Sequence, residues 1–155
     1  MLFSQLDTLI ADIPERKWEQ TYWGNIYHSG LRHFFVNIRD VTRYINSLRF
    51  VFSMVKNQVN PIDFLAITAL QVFEPGVYVG IRDNKDVFAG VFGEGCRGRD
   101  AETAQARARC DEILDRAVVL SKEQLKEFLE RVFPKLESIY SNMGYGYDWL
   151  ASWRL

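Results

Sequence analysis

The stretch Gly93-Glu94-Gly95-Cys96-Arg97-Gly98 matches the G-x-G-x-x-G pattern, whose glycines let a backbone close around a pyrophosphate at a helix N-terminus. That chemistry also needs a strand before the glycines, a crossover to a second parallel strand, and an acid at that strand's end for the ribose. Here Asp111 and Asp115 fall inside an Ala-rich helical pattern and no second strand pattern follows. The glycines therefore read as a flexible surface loop over residues 92–100 that joins two helices, with Arg97 and Arg99 able to touch an anion.

Cys96 and Cys110 are the only cysteines, and they lack metal-site spacing, which suits a reducing compartment. A bridge between them is open on geometry alone. His28 and His33 are five apart, the wrong spacing for two ligands on one helical face, and read as surface or packing residues. The chain contains no G-x-x-x-x-G-K-[ST], no G-x-S-x-G and no H-E-x-x-H. By itself it presents no catalytic constellation and no metal site.

A different kind of chemistry lies on residues 39–57, expected to be one helix. At about 100° per residue, Val41, Tyr44, Ile45, Leu48, Val51, Phe52 and Val55 gather on a core side. Arg39, Arg43, Asn46 and Phe50 line up within roughly 60° on the opposite side. Two readings are open: a stripe that meets a partner or an anion, or a solvated face carrying one exposed Phe.

The elements around that helix read as helical nearly throughout. Apolar residues recur at helical spacing over 2–13 until Pro14, and an aromatic-rich segment follows over 17–27, stopping near Gly30. Phe34-Phe35-Val36, within residues 31–38, is a short apolar run expected to be extended. Asn60-Pro61-Ile62-Asp63 starts a helix that is apolar almost all round to Phe73, hence central and buried. A short turn of helix is expected over 75–81, and Asn84 is expected to cap another over Val87, Phe88 and Val91. Asp100 is expected to cap a long charged helix reaching Leu120. Ser121 with Gln124 makes a capping box and Leu120 with Leu125 a hydrophobic staple. Beyond them Leu125, Phe128, Leu129, Val132 and Phe133 form the stripe of a helix that Pro134 stops. A last helical piece carries Leu136, Ile139, Tyr140 and Met143, and Gly144 with Gly146 breaks it. The tail holds Trp149 and Trp153, and the expectation is that either they dock back onto the helices or the chain has been cut. The expected fold is all-α, an irregular multi-helix bundle of about seven to nine helices, some short, in one domain over 1–155.

Composition agrees with a single globular domain: 155 residues, 48% hydrophobic and 25% charged, with no apolar run long enough to span a membrane. Residues 1–13 lack the basic start of a secretory signal, so the chain is expected to be cytoplasmic. A net charge of -1 lacks the electrostatic footprint of a nucleic-acid binder.

Three ordered motifs carry a resemblance. Residues 37–48, Asn-Ile-Arg-Asp-Val-Thr-Arg-Tyr-Ile-Asn-Ser-Leu, then Val59-Asn60-Pro61-Ile62-Asp63-Phe64, then Phe73-Glu74-Pro75-Gly76-Val77-Tyr78, resemble the region after the nucleotide-binding core of the KAP family of P-loop NTPases. Asn84-Lys85 and Phe133-Pro134 also fit. The similarity is strongest over residues 23–90, returns over 129–153 and is weak across the glycine loop and the charged helix. It implies a parent ATPase of bacterial type, binding ATP and Mg²⁺ in a preceding P-loop domain. Walker A and Walker B elements are not in this sequence, so the expectation is an excised C-terminal helical portion that covers the nucleotide site of that domain and passes hydrolysis on as motion. Members of the family are often membrane-linked through spans elsewhere and are associated with phage defence. Carried onto this chain, Arg39 and Arg43 become candidates for a sensor-like contact to the nucleotide phosphates. A competing account has Arg39 and Asp40 bracing the helix start. The alternative to a lid is a non-catalytic helical protein-interaction domain, in which Asn46, Phe50, Trp149 and Trp153 meet other proteins or a second copy.

Overall fold

The computed structural model describes residues 2–11, 13–14, 17–55, 58–89 and 99–140. Among these the protein is all helical, with nine α-helices and no strand, as expected. They are α1 (Leu2–Ile10), α2 (Gln20–Ser29), α3 (Ile38–Val55), α4 (Pro61–Phe73), α5 (Pro75–Asp83), α6 (Lys85–Phe88), α7 (Arg99–Leu114), α8 (Lys122–Val132) and α9 (Lys135–Tyr140). No helix is long and apolar enough to cross a membrane among the described residues. Val91, Cys96, Met143, Trp149 and Trp153 lie outside the described residues, as does the glycine loop as far as Gly98.

Helix α4 is the axis of the bundle. Asn60 Oδ1 accepts from the Ile62 and Asp63 amides at 2.9 and 3.3 Å, Pro61 occupies the first turn, and Ile62, Leu65, Ala66, Ala69 and Leu70 are fully enclosed. Helices α2, α3 and α5 pack around it. On the far side α7, α8 and α9 form a second group, with α8 seated on α2. Phe34, Phe73 and Phe128 join the two groups, the first pair stacked at 5.2 Å and the second edge-on at 6.0 Å.

One local signal held at the start of α8. The capping box of α8 forms as expected, and Leu120 and Leu125 are both buried. Four expectations need correction. Of the run Phe34-Phe35-Val36 expected to be extended, Phe34 instead closes a 3-10 turn over Leu31–Phe34, because a spacing of three puts Leu31 and Phe34 on one side of such a turn, and both are buried. Asn84 does not cap α6: its amide nitrogen donates back to the Gly80 carbonyl at 2.9 Å and closes α5 instead. Helix α7 begins at Arg99, so Asp100 is not its cap, and the loop expected over 92–100 ends sooner. The same helix stops at Leu114, six residues before Leu120. The Val118, Val119 and Leu120 amides leave the helical path and bind the carboxylate of buried Glu74 at 2.7 to 2.8 Å.

Candidate functional site

Helix α3 starts on a reciprocal cap. Asn37 Oδ1 accepts from the Arg39 and Asp40 amides at 2.9 and 3.1 Å, and Asp40 Oδ2 accepts from the Asn37 amide at 3.1 Å. Asp40 thus braces the helix start, while the Arg39 side chain takes no part in it and stands exposed on the first turn. A cation at a helix N-terminus gains nothing from the macrodipole, so the helix itself gives no reason for Arg39. Sequence reading missed Asn37, although the spacing Asn37 to Asp40 is that of a capping box.

The inner face of α3 is Val41, Tyr44, Ile45, Leu48 and Phe52, all buried. Val51 and Val55, expected on that side, are exposed and half-buried respectively. Both sit in the last two turns, where Phe52 still reaches Phe64 on α4 at 5.6 Å. The outer face carries Arg39, Arg43, Asn46 and Phe50, all exposed, as the angular arithmetic places them. Phe50 is 82% exposed, and Met54, one turn further and absent from the sequence reading, is 73% exposed. Its position four residues after Phe50 was the signal that could have found it.

Arg43 behaves differently from its neighbours on the stripe. Its Nη2 donates to the carbonyl of Val72, and its guanidinium lies 5.5 Å from the Phe73 ring centre. It satisfies one of the last carbonyls of α4 and places a positive charge at the negative end of that helix. Arg43 is therefore engaged within the chain, whereas Arg39, Asn46, Phe50 and Met54 face outward.

The other titratable clusters are structural. Tyr22 Oη donates to Asp63 Oδ1 at 2.5 Å between α2 and α4. Burial raises the Asp63 carboxyl above its ordinary value, and the hydrogen bond opposes that shift. Cys110 is buried, and burial pushes its thiol up to about 11, with the Asp111 charge adding to the effect. Phe88, Leu114, Leu129, Leu136 and Tyr140 close around it and leave no room for a water molecule, which makes it an inert packing thiol. Tyr140 Oη donates to Asp111 at 2.9 Å while the Arg107 and Lys126 cations lie over its ring at 5.3 and 4.0 Å, locking α9 onto α7 and α8.

His28 is exposed with its ring edge-on to Tyr27, and His33 accepts from Arg32 Nε at 3.4 Å. Among the described residues no three His, Cys, Asp or Glu side chains gather in a way that would hold a metal ion. The last described element before the glycine pattern is helix α6, so the context of a dinucleotide site does not form among the described residues. Comparison with protein-family models, with curated proteins and with solved structures finds no match to this chain.

Proposed function

We propose that the chain is a non-catalytic helical module that docks on a P-loop nucleotide-binding domain through the outer face of α3, the role implied by its resemblance to the helical region of KAP NTPases. The observation that carries this reading is the exposed pair Phe50 and Met54 on the same helical face as the outward Arg39. Phe50 and Met54 supply an apolar anchor, Asn46 a hydrogen-bonding group beside it, and Arg39 a cation free to reach a phosphate at the edge of the contact. ATP and Mg²⁺ would be held by the partner domain. Arg43, exposed on the same face, is engaged with the end of α4 through the Val72 carbonyl.

The test uses this chain together with its P-loop domain. Arg39→Ala should lower ATP turnover by at least about tenfold, the low end for an arginine that stabilises a transferring phosphoryl group, with melting temperature unchanged. Unchanged turnover removes the phosphate contact. Phe50→Asp should separate the module from the domain in a pull-down. Loss of a protein partner in Phe50→Asp, with no effect of Arg39→Ala on nucleotide turnover, selects the second reading, a protein-interaction domain without nucleotide chemistry. The exposed apolar pair supports that reading as well.

A further inference from the structure

On the side of the bundle made by α4, α5 and α6, a cleft of about 380 Å³ opens to the surface. Its floor is Ile81 and Phe88, both buried, with Phe133 meeting Phe88 edge-on at 5.4 Å. Ile67 and Tyr78 form its walls. The volume falls within the range of about 300 to 1,000 Å³ typical of small-molecule sites, and an apolar hollow with a few polar groups is the usual form of such a site.

The charges at its rim are one-sided. Arg82 and Lys85 line the cleft. The two acids in the same stretch are engaged with cations: Asp83 pairs with Arg82 at 3.1 Å, and Asp86 is held by Arg109 at 2.9 Å. Lys85 is exposed and carries no ion pair among the described residues. An apolar hollow with an unpaired ammonium at its mouth suits a ligand with a hydrocarbon or aromatic body and an anionic end. The body would gain from leaving water, and the anion would stay at the wetted rim beside Lys85.

We propose that this cleft is a binding site for a small amphipathic carboxylate, with its apolar body on Ile67, Tyr78, Phe88 and Phe133 and its carboxylate at Lys85. The site is separate from the α3 face, and the proposal does not depend on what that face binds.

The experiment titrates the full chain with decanoate below its micelle concentration, followed by amide chemical shifts, with decyltrimethylammonium as the probe of opposite charge and equal chain length. Decanoate should bind saturably, with shifts concentrated on residues 67, 78, 85, 88 and 133, and the cationic probe should bind more weakly. Lys85→Met should weaken decanoate by about fivefold, the scale of one exposed ion pair, without changing the melting temperature. Ile67→Trp should fill the cleft and abolish binding. Absence of saturable binding, equal binding of the two probes, or binding that survives Ile67→Trp in a folded protein overturns the proposal. Tighter decanoate binding in Trp149→Ala or Trp153→Ala would also overturn it, because the cleft would then be the seat of the chain's own tryptophan-bearing segment.

Discussion

At the scale of single residues, Glu74 carries more of this structure than its place between two helices suggests. Its carboxylate is fully buried and accepts three backbone N–H bonds, Oε1 from Val119 and Leu120 and Oε2 from Val118. Those three donors have no helical partner once α7 has ended, so the carboxylate and the amides satisfy one another. A glutamine there can accept on one oxygen only, and its NH2 group would meet a donor. Glu74→Gln should therefore destabilise the protein by about 2 kcal/mol, with Glu74→Ala costing more; a urea unfolding difference under about 0.5 kcal/mol for Gln would contradict the role. Asp63 permits a pH prediction. Burial raises its carboxyl in the folded state, so the folded protein holds that proton more tightly than the unfolded chain. Its contribution to stability is full below the ordinary carboxylate pKa and is lost as pH rises through the raised folded value. Tyr22→Phe removes the donor that opposes the shift, so a carboxyl NMR titration should find Asp63 higher still; an unchanged or lower value would show that the bond at 2.5 Å does not stabilise the ionised form.

The elements show which parts of the fold can be read from sequence. The Asn60-Pro61 start of α4 and the Ser121/Gln124 box of α8 were legible because each is satisfied within four residues. The end of α7 was not, because its cause is Glu74, 44 to 46 residues away in the chain. The 3-10 turn at Leu31–Phe34, which takes in the first residue of the run expected to be extended, was missed for a similar reason: a short apolar run does not declare its period until the helices that bury it are known. Helix spacing likewise depends on a distant contact. A Cβ at Gly30, the C-cap of α2, would lie 2.6 Å from the side chain of Phe128, whereas one at Gly24, inside that helix, would meet nothing within 4 Å. Gly30→Ala should push α2 off α8 and cost about 1 to 3 kcal/mol. Gly24→Ala should stabilise by about 0.5 to 1 kcal/mol through helix propensity alone. Thermal melts of the two variants would separate packing from propensity, and shifts of the same sign would deny the close contact.

For the molecule as a whole, the helical wheel found the stripe of α3, Arg43 included, because the facing of a helix is a local property, and it gave no sign of the Val72 carbonyl that engages Arg43, because that carbonyl belongs to another helix, 29 residues on. The surface that results has an internal logic. Each of the aromatics Phe34, Phe35, Tyr44 and Phe73 packs against another ring of the bundle, whereas Phe50 stands 82% exposed with Met54 beside it. Residues kept for folding lose stability when truncated, whereas an apolar pair kept for a partner should not. Phe50→Ser with Met54→Ser should therefore leave the melting temperature within about 2 °C of the parent, since exposed substitutions usually change stability by no more than about 0.5 kcal/mol. If α3 docks as proposed, the same pair of changes should abolish binding to the proposed P-loop domain. A large fall in melting temperature would place both side chains in the chain's own packing and end the case for α3 as the docking face. Unchanged docking in a folded double variant would end it as well, and together the two measurements decide whether that helix face serves the fold or the partner.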